Sequence, residues 1–206
     1  MKNPLHYQLS EYDCGPTSVL NAISFLFERE VIPPDIIRNI MLYCLDCYGP
    51  GGAFGKMGTS RTAMMFLSNW LDGFGRACAL PVSSSYVSGK SVYIGRDSLI
   101  VDALKRGGVA VVRLYYDVEH YVLLTGEQDG NLLMFDPYYT EEPFPQKDII
   151  LTTDYPFTYN RIVPASYFNS ETHEIYALGE SEAREAVLLF NEETKLTPEK
   201  TIEYFI

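Results

Sequence analysis

Apolar residues change their spacing half-way along this 206-residue chain. Up to about residue 106 they recur at intervals of three and four. From Val109 onward they come as short β-branched and aromatic runs. The first pattern specifies helices with one buried face and the second specifies buried strands. The expected class is therefore α+β, with N-terminal helices packed on an antiparallel β-sheet. A first helix is expected from about Cys14 to Glu28, with Val19, Leu20, Ile23, Leu26 and Phe27 on one face. Pro33 breaks it, and Pro34 opens a second helix whose face is Ile36, Ile37, Ile40, Met41 and Cys44. Ser60 caps a third helix with Ala63, Met64, Leu67, Trp70 and Leu71 inward, and Gly73 is expected to stop it. Asp97 or Ser98 caps a short fourth helix over Leu99–Arg106.

Strands are expected over Ala77–Val82 and Ser91–Ile94, with serine-rich turn material between them. Val109–Tyr116, His120–Thr125 and Leu132–Asp136 follow as stronger candidates. Asp148–Thr153, Glu174–Gly179 and Ala186–Phe190 are further ones, the last of which also suits a helix. Glu180–Glu193 reads as an acidic, solvated face, and Thr197-Pro198 as the start of a last short helix. One domain, 1–206, is expected, with 140–206 as a C-terminal extension of the core whose strand-like runs complete the sheet.

Hydrophobic residues make up 47% of the chain and charged residues 21%, enough for a sizeable core and against disorder. A net charge of −11 gives no electrostatic footprint for nucleic acid or an anionic membrane. The first residues carry no apolar core of a signal peptide, and no apolar run reaches the length of a membrane span. The expectation is a soluble, cytoplasmic protein without an integral membrane segment. Four cysteines in a chain of this size are not a disulfide framework.

One of those cysteines carries chemistry. Cys14 directly precedes Gly15-Pro16 and opens the first helix. Backbone N–H groups and the positive end of the helix dipole converge there, which favours a thiolate, the nucleophilic form. Gln8, six residues earlier, carries a neutral amide donor of the kind that stabilises an oxyanion. A base is expected from the hairpin formed by the strands around His120 and Asp136. Folded symmetrically about Gln128, it sets Thr125 opposite Asn131, Val122 opposite Met134 and His120 opposite Asp136. Directly opposed residues share a face with Cβ atoms roughly 4.5–5.5 Å apart. The carboxylate then fixes one imidazole nitrogen and leaves the other as a base. A slip of one residue would separate them. In this set Cys14 attacks a carbonyl and His120 takes the thiol proton and later passes it to the leaving amine. Asp136 orients His120, and Gln8 with the Cys14 N–H binds the oxyanion.

Gln8, Asp13-Cys14-Gly15-Pro16-Thr17-Ser18, His120-Tyr121-Val122-Leu123-Leu124 and Phe135-Asp136-Pro137 together resemble a papain-like cysteine peptidase. More closely, they resemble the double-glycine leader-peptidase domains at the front of bacteriocin-exporting transporters and their stand-alone relatives. The likeness covers about residues 5–140. It implies a papain-like fold, a thiol peptidase mechanism, a peptide or protein substrate and no cofactor. By motif, the nucleophile falls on Cys14, the base on His120, its orienter on Asp136 and the oxyanion donor on Gln8. The chain has no transmembrane or ATP-binding part, so export coupling is not implied.

Other features have plainer readings. Cys44-Leu45-Asp46-Cys47 lacks the second ligand pair of a zinc site and falls late in a helix, so buried core is the leading reading over metal or redox work. Gly49–Thr59 fails the spacing of a phosphate loop, with Pro50 where its first glycine belongs, and reads as a flexible loop that can rim a cleft. His6 and His173 have no matching partners. Among the 16 tyrosines, Tyr7, Tyr12, Tyr121, Tyr138 and Tyr139 flank the motif residues. Two further functions stay open beside hydrolysis. The same thiol and imidazole can pass an acyl group to an amine, as in a transglutaminase-like enzyme, or the scaffold can be a non-catalytic peptide-binding module.

Overall fold

A computed structural model describes residues 1–44, 56–77 and 80–197. Within them the chain forms four α-helices, α1 (Cys14–Leu26), α2 (Pro34–Cys44), α3 (Arg61–Ala77) and α4 (Leu99–Lys105). The strands are β1 (Val82–Ser88), β2 (Val109–Tyr116), β3 (Val118–Gln128), β4 (Asn131–Phe135), β5 (Ile150–Leu151), β6 (Arg161–Pro164) and β7 (Glu185–Asn191). They make one antiparallel sheet in the order β1-β7-β2-β3-β4-β6-β5. The α+β class is thus as expected. Cys47, Cys78, residues 49–55 of the glycine-rich loop and Pro198 lie outside the described residues.

The sheet is covered on both faces. Val19, Ile23, Ile40, Leu67 and Leu71 of α1–α3 bury against Val109, Val111, Leu123, Phe135 and Leu189. On the other face Val101 and Leu104 of α4 meet Ala110, Val112, Val122, Leu124 and Met134, together with Phe168 and Tyr176 from the segment after β6. Strands buried on both faces read as continuous apolar runs, which explains Val109-Ala110-Val111-Val112 and Ala186–Phe190. Each fully buried Val, Leu or Ile contributes roughly 1.5–3 kcal/mol.

Several elements differ from the sequence reading. The helix α3 runs through Gly73 to Ala77. Its glycine requirement is steric: a Cβ at Gly75 would lie 1.7 Å from the Val82 carbonyl oxygen, so Gly75 lets β1 approach the helix. The serine-rich stretch is not a turn but β1, paired with β7 from Val82↔Asn191 to Ser88↔Glu185. Backbone pairing supports it, and Ser84 Oγ ties it to Ser68 Oγ on α3 at 2.7 Å. Ser91–Ile94 and Glu174–Gly179 form no strands. The latter segment instead gives Tyr176 N to Tyr115 O and accepts Tyr115 N at Ala177 O, which fastens it to the end of β2. The strand β6 was not anticipated. The expected Ala186–Phe190 strand is present as β7, but it is buried throughout, with Glu185 wholly inaccessible, rather than part of a solvated acidic face. Residues 150–191 therefore supply three of the seven strands, and β7 lies between β1 and β2.

Candidate active site

The site forms where the start of α1 meets the start of β3. Thr17 N makes the first helical bond to Asp13 O at 3.0 Å, and Pro16 falls within the first turn, where no N–H is needed. One turn into the helix, Ser18 Oγ donates to Tyr121 O at 3.0 Å. That bond fixes α1 to β3 one residue beyond His120. Gly15 is obligatory, because a Cβ there would stand 2.2 Å from Thr59 Oγ1.

The β3–β4 hairpin turns at Asp129-Gly130, both with positive φ (52° and 79°), between Gln128 and Asn131. Two positive-φ residues give the hairpin turn that matches strand twist. The centre is therefore not Gln128. A bulge between Leu124 and Gly126 shifts the register, and Leu123 then pairs with Phe135. Continued by one step, this sets Val122 and not His120 opposite Asp136. The shift of two residues preserves the face, because side chains alternate with period two. His120 Nε2 accordingly reaches Asp136 Oδ1 along the diagonal, at 2.7 Å.

His120 and Asp136 are buried, the latter completely. Burial opposes a charge on His120. The Asp136 carboxylate outweighs it through charge and hydrogen bond, the Cys14 sulfur adds a hydrogen bond and charge, and the imidazole pKa is raised to about 10. With Nε2 held by Asp136, Nδ1 is the nitrogen left for the Cys14 thiol. At Asp136 burial favours the neutral acid, but His120, the Arg161 charge and the Tyr138 N–H hold its pKa below the ordinary carboxylate value. Cys14 itself is largely buried and lines a cavity of about 490 Å³ with Tyr12, Gly58, Thr59, Glu119 and Tyr121. Lys56 to Thr59, the described end of the glycine-rich loop, form one wall of it.

Gln8 lies beside this set. Its N–H donates to Pro137 O at 2.9 Å, next to Asp136. Its carboxamide is turned onto its own loop, Nε2 donating to Ser10 O at 2.7 Å, while Oε1 is buried without a donor. One N–H of the amide is thus engaged away from Cys14. The loop is shaped by Asp13, whose buried carboxylate accepts from Leu9 N (2.9 Å), Ser10 N (2.7 Å) and Ser10 Oγ (2.6 Å). Burial opposes its ionisation, but these bonds hold its pKa below the usual value.

Three more residues serve Asp136, all beyond the stretch that carries the family likeness. Asn160 clasps its backbone in both directions, Nδ2 to Asp136 O and Asp136 N to Oδ1, each 2.8 Å. Arg161, wholly buried, donates to Asn160 O and Tyr138 O, both at 3.1 Å. Tyr176 OH donates to Asp136 Oδ2 at 3.1 Å. No local motif marks them: an asparagine at a strand start and a tyrosine in a loop are ordinary residues until the chain returns to β4. Tyr176→Phe leaves Oδ2 buried without that donor, which costs roughly 1–3 kcal/mol. The sign with pH follows from the lowered pKa. Asp136 contributes stability above its unfolded pKa of about 3.9, and that stability is lost as pH falls through the folded value. Removing the donor raises the folded value, so acid unfolding of Tyr176→Phe is expected at higher pH than wild type. Coincident acid transitions, followed by circular dichroism, would show that the hydroxyl does not serve the carboxylate.

Cys44 is fully buried, in agreement with the core reading. His6 is exposed, and His173 stacks on Tyr115 with ring centroids 4.1 Å apart. Among the described residues no group of three or more His, Cys, Asp or Glu stands close enough to hold a metal ion, and no helix is long and apolar enough to cross a membrane. Comparison with protein-family models gives no match, and comparison with curated proteins gives none either.

Proposed function

We propose that the protein is a cysteine peptidase or amidase of papain-like architecture, hydrolysing a peptide-like bond. The observation that carries this reading is the imidazole of His120, held at Nε2 by the buried Asp136 and within hydrogen-bond reach of the Cys14 sulfur at a helix N-terminus. The proton of the Cys14 thiol moves to His120 Nδ1, and the thiolate attacks the carbonyl carbon. The oxyanion is stabilised by the Cys14 N–H and by the remaining N–H of Gln8 Nε2, after the carboxamide turns from Ser10. His120 gives its proton to the leaving amine, and a thioester remains on Cys14. Water, losing a proton to His120, then attacks the thioester and frees the acid and the thiol. Asp136 stays ionised throughout and holds the imidazole in one orientation.

The test is a mixed peptide library incubated with the protein and read by mass spectrometry of the new chain ends. Wild type is expected to generate new termini. Cys14→Ala is expected to generate none above background, because loss of the nucleophile removes the covalent path. New termini that appear equally with Cys14→Ala would sink the reading.

A further inference from the structure

The helix that carries Cys14 also holds the segment that carries Gln8. Asn21 of α1, fully buried, clasps the backbone of His6: Oδ1 accepts its N–H at 2.8 Å and Nδ2 donates to its carbonyl at 2.9 Å. Asp13 holds the same segment on the other side of Gln8. It occupies the N-cap of α1, where a carboxylate ordinarily accepts from the second or third helical N–H. It makes no such bond. The third helical residue is Pro16, which has no N–H to offer. The carboxylate turns back instead. Oδ2 takes Leu9 N at 2.9 Å, and Oδ1 takes Ser10 N at 2.7 Å and Ser10 Oγ at 2.6 Å. Into the helix it accepts the Thr17 hydroxyl, at 3.3 Å.

Ser10 is the link to the oxyanion donor. Its carbonyl accepts Gln8 Nε2 at 2.7 Å, so Asp13 fixes Ser10 by two bonds and Ser10 fixes the carboxamide. Packing does not hold this loop, since Leu9 is 94% exposed and Ser10 and Glu11 are exposed too. Hydrogen bonds to a buried carboxylate are strong enough to do so. A carboxylate beside a thiolate is electrostatically unfavourable, so the Asp13 charge does not serve the Cys14 sulfur itself. We infer that Asp13 is a positioning residue for the oxyanion site, keeping the Gln8 carboxamide within reach of the carbonyl oxygen that Cys14 attacks. The inference rests on the proposed peptidase chemistry.

Two reagents separate the roles at one sulfur. Iodoacetamide loses iodide at a saturated carbon, forms no oxyanion and reads the thiolate alone. p-Nitrophenyl acetate is attacked at its carbonyl, through a tetrahedral oxyanion. The sulfur bonds to the acetyl carbon, p-nitrophenolate leaves with the electron pair of the broken ester bond, and a thioester remains on Cys14. Release of p-nitrophenolate is measured after subtraction of Cys14→Ala, and mass mapping locates the acetyl group. Gln8→Ala is expected to slow acylation about 100-fold, the scale of one lost oxyanion donor. Asp13→Asn keeps the shape and removes the charge, and is expected to slow acylation about tenfold through misplacement of that donor. Alkylation is expected not to slow, because losing a negative charge does not disfavour the thiolate. Since Asp13 acts through Gln8, the double variant is expected within about twofold of Gln8→Ala alone. Should Asp13→Asn not fold, Ser10→Ala takes one hydroxyl from the exposed loop. It is expected to slow acylation about threefold, and to lose that effect in the Gln8→Ala background. The inference is overturned if these variants slow alkylation and acylation in parallel, if they leave acylation unchanged or raise it, or if their effects multiply with that of Gln8→Ala. Gln8→Ala acylated at the wild-type rate overturns it as well. The peptidase reading fails by a different result, wild type acylated no faster than Cys14→Ala.

Discussion

Cys14 is expected to react with iodoacetamide at pH 6 at least about tenfold faster than a small-molecule thiol, and His120→Ala is expected to abolish that advantage. A thiol of ordinary pKa, 8.5, is ionised to roughly 0.3% at pH 6, and only the thiolate attacks. An adjacent imidazolium and a helix N-terminus both favour the thiolate form of a cysteine. Part of the gain is returned because a less basic sulfur is a weaker nucleophile. The raised pKa of His120, about 10, keeps the imidazole protonated across this range while Asp136 and the sulfur face it. The open cavity at Cys14 admits a reagent as small as iodoacetamide. Mass mapping assigns the label to Cys14, and Cys44, fully buried, is expected to stay unlabelled in the same digest. If Cys14 follows the small thiol across pH and His120→Ala has no effect, the pair does not function as a thiolate and imidazolium, and the binding-module reading of this scaffold takes precedence.

The elements legible in the sequence were those fixed by local chemistry. Pro34 opens α2, Ser60 Oγ accepts Ala63 N at 3.1 Å, and Ser98 Oγ accepts Val101 N at 3.1 Å, each as the residue type predicts. The β-branched run Val109–Tyr116 is β2 over its full length. Ser83–Ser85 misled because serine favours turns in isolation, whereas here β7 supplies the backbone partners and Ser68 a hydroxyl. Gly73 misled because a glycine in a helix marks either a stop or a close approach, and only the position of β1 against Gly75 distinguishes them. At the site, Cys14, His120 and Asp136 were readable from residue type, helix start and hairpin. The register that joins the last two was not. The Asp129-Gly130 turn was visible, but the bulge after Leu124 is a property of the paired strands. Asn160, Arg161 and Tyr176 were invisible for the same reason, since their roles exist only once β6 and the loop after it return to β4.

Glu185→Leu is expected to lower the stability of the whole molecule by about 3–5 kcal/mol, the cost of breaking a buried ion pair by removing one partner. Glu185 is fully inaccessible at the start of β7. Its Oε1 stands 3.1 Å from Arg113 Nε and accepts Tyr121 OH at 2.6 Å, and its Oε2 accepts Tyr86 OH and lies 3.8 Å from Arg61 Nε. Leucine would fill the volume and leave Arg113 and two hydroxyls without their acceptor. Arg113 keeps bonds to Glu119 Oε1 (2.8 Å) and Ala183 O (2.6 Å), so the loss is partial rather than complete. For a domain near 200 residues each kcal/mol moves the melting temperature by about 2–4 °C, so a fall of roughly 6–20 °C is expected by calorimetry. Glu185→Leu combined with Arg113→Met, which removes the stranded charge as well, is expected to regain much of that fall, because an apolar replacement of a whole buried pair is close to neutral. A single variant that melts within a degree or two of wild type would show that the carboxylate is not what joins β7 to β2 and β3. The consequence extends to the site. Tyr121 follows His120 in β3, accepts Ser18 Oγ at its carbonyl and lines the Cys14 cavity, and Glu185 is what its hydroxyl is fastened to. Well below its own melting temperature, Glu185→Leu is therefore expected to alkylate more slowly at Cys14 than wild type does, whereas a purely global role would leave that rate unchanged in the folded fraction.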